Sequence, residues 1–516
     1  MKKLVALMLA ATMTIATFVG CGASNKEEKH ASTGSKVFVF GDTTFNAENE
    51  EATIDPHDTY CGWPAVRYGV GETLFKFNDS MELEPWLAES YENVDDLTWK
   101  VTLKDGVTFS NGNVVDAEAV KACIEDLVAV HERAAGDLAI DSIEADGLTL
   151  TIKTTTPKPT LINYLCDPYG AIIDVTAGNE GGIVVGTGPF VATDLVTGDH
   201  INLVKNDNYW DGDVKLDEVK VITISDGDTL AMALQNGDID AAYGMAYASY
   251  PIFENDDYTF TSTSTSRVFY LQMNYNSDII ADDAVRAAIA MGIDKESFVD
   301  TLLNGYGYVG AGAYPDSFPF GKGVNVQTYD PEGAKKVLED AGWKDSDGDG
   351  IREKDGKKLS INWVSYPSRQ ELPLLAESAQ ASLNDIGIDV QLNITPDHGT
   401  IVSEKDGWDV YGAAFVTCGI GDPMYFFSTH CLADSTKNRG SYSSTDLDAL
   451  AAEMNETFDT DARSDIAIKM QQQILDDNAF VFCSFLKMSM ISKANVTGLV
   501  AHPCDYYEIT ADLDIE

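Results

Sequence analysis

Residues 186–244 constrain the fold of this chain more than any other stretch, because their hydrophobic pattern changes period twice. Leu230, Ala233 and Leu234 share the face of a helix that ends at Gly237, between the last two of several strand-like runs. Those runs are 190–196, 200–204, 219–224 and 238–243. A strand, a helix and a strand within so few residues predict a βαβ unit, and such units bind ligands at the carboxyl ends of their strands. We therefore expect this stretch to form one wall of a binding cleft.

Length and composition indicate a folded protein of several domains. The chain has 516 residues, which is too many for one core, so two or three domains are expected. Hydrophobic residues make up 44% of the chain, enough to bury a large core despite a formal net charge of −48. So acidic a surface repels nucleic acid, which we exclude as a partner, and concentrates cationic ligands and metal ions. The acidity is equally consistent with a role in keeping an exported protein soluble.

The N-terminus has the pattern of an export signal. Two lysines precede an apolar run at 4–19 that is too short to cross a bilayer comfortably. The run ends at Phe-Val-Gly-Cys, which resembles a bacterial lipobox with Phe18 where leucine is usual. This resemblance implies that Cys21 is lipidated and becomes the mature N-terminus. We expect residues 1–20 to be a signal peptide, 21–36 a flexible tether, and the mature protein to be held on the extracytoplasmic face of the membrane.

The cysteines after Cys21 are odd in number, so at least one is not in a disulfide. They are Cys61, Cys123, Cys166, Cys418, Cys431, Cys483 and Cys504. Because no Cys-x-x-Cys spacing occurs, neither a zinc ribbon nor a thioredoxin-like site is indicated. Buried thiols are the expected outcome.

Several distinct sequence motifs occur along the mature chain. Residues 87–127 contain LAESY, TWKVTLKDGVTFSNG and DAEAV, and the stretch 186–244 contains GTGP, NDNYW, LDEV and ALQNGDID. Residues 284–305 contain VRAAIAMGIDKESFVDTLLNG. These motifs resemble those of the bacterial extracellular solute-binding proteins of family 5, which deliver peptides or nickel to ABC importers. The resemblance covers nearly all of the mature chain.

The resemblance implies an α/β fold of the two-lobed periplasmic-binding-protein type II class, which closes over its ligand, with an extra domain inserted in the first lobe. The polar run at 261–266 fits a first crossover between the lobes, and a return near Phe485 would bring the C-terminal residues back to the first lobe. The expected parts are an extra domain at 68–183, lobe II at 267–484, and lobe I at 37–67, 184–266 and 485–516.

The nickel-binding branch of the family has the closer local likeness, in FSNG, IREKDGKKL and SMISK. It implies that Arg133 holds the carboxylates of a nickel chelate. Tyr60 and Trp63 are further candidates for ligand contacts, because aromatic residues in a loop beside polar ones often line a site, although packing of Trp63 inside the domain is the more frequent role. Tyr411 is a third aromatic candidate.

The peptide-binding branch offers the alternative ligand, a di- or oligopeptide. Its members place an aspartate upstream of a Gly-Asp-Pro motif to pair with the α-ammonium of the peptide. In this chain the motif contains Asp422, and the upstream position is Gly419. Because the lost contact would be a strong, charge-assisted one, the sequence favours a nickel chelate over a peptide.

Three histidines are candidate metal ligands, since Ni(II) favours imidazole. They are His57, His430 beside Cys431, and His502 beside Cys504, and for such His–Cys pairs a structural role is the more frequent one. A second metal pattern, with Asp345, Asp347 and Asp349 in alternation, is typical of a calcium loop. Its twelfth position is glycine instead of the required acid, so weak calcium binding or none is expected.

No Gly-x-Ser-x-Gly, His-Glu-x-x-His or phosphate-loop motif occurs, so a secreted hydrolase is only a distant alternative. We expect no catalytic residue and no resident cofactor. The sequence predicts a monomeric, lipid-anchored receptor that captures a small solute, nickel first and a peptide second, and passes it to an ABC permease and its ATPase.

Overall fold

The computed structural model describes residues 35–45, 53–326 and 328–516, and the predicted signal peptide and lipidation site Cys21 lie outside these ranges. Within them, no helix combines the length and the apolar character needed to cross a bilayer. Residues 36–516 group into one unit. The boundaries expected between lobe I, the extra domain and lobe II therefore stay predictions.

Most strands belong to one large mixed sheet. In chain order the strands of the described residues are β1 (Val37–Asp42), β2 (Phe75–Phe77), β3 (Leu83–Pro85), β4 (Ala88–Asp95), β5 (Thr98–Leu103), β6 (Ile140–Asp146), β7 (Thr149–Thr154), β8 (Phe190–Val196), β9 (His200–Lys205), β10 (Glu218–Thr223), β11 (Ala241–Tyr243), β12 (Tyr258–Met273), β13 (Gly307–Val309), β14 (Glu353–Lys354), β15 (Lys357–Lys358), β16 (Ser360–Ser365), β17 (Asp389–Ile394), β18 (Val410–Val416), β19 (Phe480–Lys493), β20 (Val496–Thr497) and β21 (Asp514–Ile515). The large sheet has 11 strands, in the order β17-β16-β18-β12-β19-β11-β1-β10-β9-β8, and β13 pairs with β19.

Helices cover the sheet, and aspartate side chains begin many of them. The α-helices are α1 (Gly62–Arg67), α2 (Ala117–Val130), α3 (Ala134–Leu138), α4 (Leu161–Tyr164), α5 (Gly227–Asn236), α6 (Asp283–Gly292), α7 (Lys295–Ser297), α8 (Pro331–Asp340), α9 (Glu371–Asn384), α10 (His398–Ser403), α11 (Met424–Phe426), α12 (Thr445–Asn455) and α13 (Thr460–Asp476). Carboxylates that accept a hydrogen bond from the first helical turn belong to Asp116, Asp226, Asp282, Asp294, Asp330 and Asp459. These caps satisfy N–H groups that a helix leaves unpaired at its start.

The predicted βαβ unit is present, with one addition. β10 and β11 flank β1, and both run parallel to it. The connecting helix α5 is capped at its start by Asp226, buries Leu230 and Leu234, and is followed by Gly237 in the left-handed conformation, with φ of 83°. The insertion of β1 between the two strands could not be read from the stretch itself, because β1 comes from a distant part of the chain.

The two longest strands connect the halves of the large sheet. β12 has 16 residues and β19 has 14, and the two pair antiparallel along most of their length. The predicted crossover at 261–266 lies within β12, and the predicted return near Phe485 lies within β19. The ladder shifts register between Phe269 and Tyr270 and between Ser264 and Val268, where the Thr265 hydroxyl donates to the Leu486 carbonyl at 3.0 Å.

Residues 68–183 contain a second sheet of four strands, in the order β4-β5-β7-β6. α2 packs on it through one apolar face, on which Val120, Ile124 and Leu127 are buried, as their spacing predicts. A separate sheet in this range is consistent with the expected extra domain.

The cysteine prediction is confirmed where the structure describes it. Cys123, Cys166, Cys418, Cys431, Cys483 and Cys504 are buried thiols without disulfides.

Glu72 is a fully buried carboxyl that accepts hydrogen bonds from Thr187 at 2.8 Å, Tyr209 at 2.9 Å and Trp210 at 2.7 Å. Burial raises the pKa of Glu72 from 4.5 to about 7. Between these two values the folded state holds a proton that the unfolded state has lost, so this group makes the protein less stable as pH rises.

Glu72→Gln should remove this dependence on pH. We expect the melting temperature of the variant minus that of the unchanged protein to increase from pH 5 to pH 8, measured by differential scanning calorimetry. A poor fit between the glutamine amide and the three donors would change the melting temperature equally at pH 5 and at pH 8, so it would not produce this trend. A difference that does not change with pH would contradict the assignment.

Candidate ligand-binding cleft

A cavity of about 450 Å³ opens beside the carboxyl ends of several parallel strands. Residues 43–45 follow β1, Arg369 lies in the loop after β16, and His398 begins the helix after β17. β18 contributes lining residues between Tyr411 and Val416. The position agrees with the general rule for open α/β sheets, and the volume is in the range of small-molecule sites.

The expectation that residues 186–244 form a wall of this cleft is wrong. Within the described chain, none of the residues that line the cavity belongs to that stretch. Because β1 lies between β10 and β11, the loop that leaves β1 occupies the carboxyl edge in their place. Tyr243, at the end of β11, lies behind the wall, with its ring 5.2 Å from the guanidinium carbon of Arg67.

The cavity is lined by cations although the chain as a whole is strongly acidic. The lining cations are Arg67, Arg133, Arg267, Arg369, Lys437 and Arg439. Among the described lining residues, Asp167 is the single carboxylate. Lys437 and Arg439 form no ion pair with any carboxylate in the described part of the chain, whereas Arg369 lies in the electrostatic field of Glu371 and Asp505.

Arg133, predicted to bind ligand carboxylates, does line the cleft. Its guanidinium lies 3.4 Å from the Asp167 carboxylate and 3.6 Å from that of Asp137. Tyr60 also lines the cleft, with 44% of its surface exposed. The Tyr60 ring is 5.3 Å from the Arg133 guanidinium carbon and 5.4 Å from Lys437 Nζ, so it lies in cation–π contact with both.

Trp63 occupies a similar position deeper in the cleft, between Arg67 and Arg267, each 5.7 Å from its ring. Its indole N–H donates to the backbone carbonyl of Asp505 at 2.9 Å. The Asp505 carboxylate joins the same two arginines, at 2.7 Å and 2.8 Å. Arg67 also lies 3.4 Å from the Asp42 carboxylate, so both arginines have carboxylate partners that fix their positions at the cavity.

His430 is the predicted metal ligand that lies at the cleft. Its ring packs between Phe415 and Phe426, 4.2 Å and 4.9 Å away, and its Nδ1 is 2.7 Å from the Thr429 hydroxyl. Burial, together with the charges of two nearby cations, lowers the pKa of His430 well below its ordinary value. The imidazole is therefore neutral at pH 7 and can act as a metal ligand or a hydrogen-bond partner.

His57 and His502 do not line the cavity. His57 Nδ1 is 2.7 Å from the Asp126 carboxylate, and its Nε2 is 3.7 Å from Cys123 Sγ. His502 Nδ1 is 2.9 Å from Cys504 Sγ, and burial lowers the pKa of His502 to about 4. Each ring is buried in local packing, which is the structural role more frequent for a His–Cys pair.

Asp422 and Gly419, the positions compared with the peptide-binding branch, also do not line the cavity. Both Asp422 oxygens accept from the Arg463 guanidinium, at 2.9 Å and 2.7 Å, and both residues are buried. A Cβ added at Gly419 would lie 2.7 Å from the Tyr506 hydroxyl, so a larger residue there requires the Tyr506 side chain to shift. Tyr411, in contrast, lines the cavity, and its hydroxyl is 2.8 Å from His398 Nδ1.

The acidic loop at 345–353 differs from its predicted arrangement in one residue. Asp345, Asp347 and Glu353 each place a carboxylate oxygen within 4.8 Å of the others. Asp349 instead pairs with Lys358, which the β14–β15 hairpin brings opposite the loop. Calcium binding here stays a prediction.

Sequence reasoning missed His398, Arg369, Lys437 and Arg439. A signal was available for Arg369, because it follows the short apolar run that forms β16, and loops after parallel strands build such sites. Lys437 and Arg439 lie in an irregular segment that a periodicity argument does not address.

Comparison with known proteins places this geometry in a family. Residues 82–438 match the model of the bacterial extracellular solute-binding proteins, family 5 Middle. The nickel-binding protein NikA of Staphylococcus aureus is 27% identical over 449 residues, which cover 87% of this chain and 86% of that protein. The dipeptide-binding protein DppE of Bacillus subtilis is 24% identical over 552 residues, with 98% of both chains covered.

A solved structure of NikA from Staphylococcus aureus in complex with Ni(L-His)₂ superposes with a TM-score of 0.82 at 26% identity, covering 93% of this chain and 100% of that chain. The predicted periplasmic-binding-protein type II fold is confirmed by this similarity. The family model spans well over half of the sequence and includes most of the cleft. The chain belongs to the bacterial extracellular solute-binding proteins of family 5.

Proposed function

We propose that this protein is a lipid-anchored receptor that captures nickel as a chelate with carboxylate groups, closes over it and delivers it to an ABC permease. Members of the family are extracytoplasmic solute-binding receptors of ABC importers, and the peptide-binding members make a peptide the alternative ligand. Beyond family membership, three features are proposals: the lipid on Cys21, a nickel chelate as the ligand, and the monomeric state of the receptor.

The observation that carries the ligand proposal is the unpaired charge in the cleft. Arg369, Lys437 and Arg439 line the cavity, and Lys437 and Arg439 have no ion-pair partner among the described residues, whereas Arg369 has Glu371 and Asp505 nearby. These cations are half-buried, so an anionic group in the cavity would interact with them more strongly than it would in open water, and arginine binds carboxylates with strong, directional hydrogen bonds. A ligand with carboxylate groups meets this need.

The same charge pattern disfavours a free peptide. A peptide brings an α-ammonium group, which requires an acceptor carboxylate in the site. Asp167 is the single carboxylate among the described lining residues, and Arg133 is 3.4 Å from it. A peptide ammonium would compete with that guanidinium.

The metal is expected to arrive with its own ligands. Among the described residues, the group of three side chains that could together bind a metal ion lies in the acidic loop. The described part of the cleft contains no such group. His430 can supply one neutral imidazole, but a single ligand does not hold Ni(II) against water and competing chelators. The Ni(L-His)₂ complex in the similar Staphylococcus aureus structure is in line with a chelated cargo.

Isothermal titration of the detergent-solubilised full-length protein tests the proposal. We expect binding of Ni(II) mixed with two equivalents of L-histidine, and none of L-histidine alone or of a dipeptide pool. Arg369→Met should weaken binding of the mixture by about tenfold to a hundredfold, the equivalent of one hydrogen bond to a charged group.

Lys357→Met serves as the matched control, because this lysine is exposed and pairs with Asp278 away from the cavity. It removes one positive charge from the protein without touching the cleft, and the affinity should stay unchanged. Binding of dipeptides but not of the nickel mixture would overturn the nickel proposal and leave the receptor function standing.

A further inference from the structure

Gln272 is a polar side chain buried in the middle of β12, with 1% of its surface exposed. Its neighbours Leu271 and Met273 are fully buried apolar residues. A buried amide is costly unless its donor and acceptor are both satisfied. The hydrogen-bond partners of the Gln272 amide therefore indicate which part of the structure this side chain holds in place.

Both ends of the amide bind the backbone of the segment that carries two of the cleft cations. Gln272 Nε2 donates to the Lys437 carbonyl at 3.1 Å, and the Arg439 N–H donates to Gln272 Oε1 at 3.0 Å. Gln272 itself does not line the cavity. Its two hydrogen bonds thus hold the residues on either side of Asn438. The Asn438 side chain donates to the carbonyls of Leu432 and Tyr442 within the same segment.

The segment is irregular, and its own backbone hydrogen bonds are local: the Lys437 N–H donates to the Thr429 carbonyl at 2.9 Å, and the Arg439 N–H is shared between Gln272 and the Lys437 carbonyl at 2.9 Å. Residues 432–444 contain no helix or strand. The Tyr275 N–H donates to the Gly440 carbonyl at 2.8 Å, and a Cβ at Gly440 would lie 1.9 Å from the Met273 carbonyl oxygen. The segment thus runs in close contact with the end of β12, and Gln272 fixes its register there.

We infer that Gln272 is a positioning residue that holds the side chains of Lys437 and Arg439 at the cleft, and so determines its selectivity for ligands with anionic groups. This inference rests on the proposed function. Lys437 and Arg439 are two residues apart, and their backbone is fixed at both by the same amide. Displacement of this short segment moves both unpaired charges at once.

A double-mutant cycle in the full-length protein tests the inference, with Ni(II) plus two equivalents of L-histidine as the probe. Gln272→Met keeps the size of the side chain and removes the amide. We expect it to raise Kd about tenfold when both cations are present, and less than about twofold in the Lys437→Met, Arg439→Met background, since coupled residues are not additive. The melting temperature of each variant is recorded beside Kd.

An equal loss of affinity in both backgrounds would mean that Gln272 only supports the fold, and would overturn the inference alone. Unchanged binding in the Lys437→Met, Arg439→Met protein would overturn the proposed role of the cations and the inference together, as would no binding by the unchanged protein. If Gln272→Met does not fold, Gln272→Glu replaces it. This variant keeps the acceptor for Arg439 and removes the donor to Lys437, and the same dependence on background is expected.

Discussion

Asp422→Ala is expected to lower the free energy of unfolding by about 3–5 kcal/mol, because it leaves the guanidinium of Arg463 buried without its counter-ion. The two hydrogen bonds of this pair are 2.9 Å and 2.7 Å long, and the Asp422 carboxylate also accepts from the Met424 N–H at 2.8 Å. The remaining Arg463 contacts, to two backbone carbonyls, do not neutralise its charge. Urea denaturation followed by circular dichroism measures the change.

Asp278→Ala is the matched control for this prediction. It also removes an aspartate from an ion pair, with Lys357 at 3.0 Å, but the two side chains are 84% and 66% exposed. Exposed pairs contribute roughly 0–1 kcal/mol, so the control should unfold close to the unchanged protein. A similar loss in both variants would show that the buried ion pair contributes no more to the free energy of unfolding than the exposed one.

Gly421→Ala is expected to weaken ligand binding roughly tenfold, because overpacking of a close contact costs about 1–3 kcal/mol. A Cβ at Gly421 would lie 2.7 Å from Phe77 Cε1 and 2.8 Å from the Met81 carbonyl oxygen. Beside it, Asn163 donates to the Ile420 carbonyl at 2.9 Å. These contacts join the predicted extra domain to the predicted lobe II, so we expect them to be made when the cleft closes.

The control for Gly421→Ala is Gly407→Ala. Both glycines have positive φ, 67° and 89°, and a Cβ at Gly407 would meet nothing within 4 Å. The control carries the backbone strain of a left-handed alanine, about 1–2 kcal/mol, without the overlap. Titration should therefore show weaker binding for Gly421→Ala alone, and equal affinities of the two variants would rule out a role of Gly421 in closure.

The fold could be predicted from the sequence to a large extent, since local patterns specify local elements. The aspartate before α2 and the apolar face of that helix follow directly from capping and periodicity. What the sequence could not show was which strands become neighbours. β1 inserts between β10 and β11 because of pairing across about 180 residues, and no local pattern reports that contact.

The site was harder to predict for the same reason. Tyr60, Trp63, Arg133, Tyr411 and His430 line the cleft, and their contacts with a ligand stay predictions. His57, His502 and Asp422 looked like ligand-binding residues because their side chains are chemically able to bind, but each of these side chains already has partners inside the protein. Whether a polar side chain serves a ligand depends on what else neutralises it, and that information is three-dimensional.

The paired strands β12 and β19 determine how such a cleft can open. They pair with each other on both sides of the crossover, with register shifts between Ser264 and Val268 and between Phe269 and Tyr270. Because both strands pass through the crossover together, opening of the cleft need not break the hydrogen bonds between them. Any bending or twisting is shared by the two strands, and we expect it where the regular ladder is interrupted. The resistance of this short interval to deformation should therefore contribute to ligand affinity together with the contacts in the cleft.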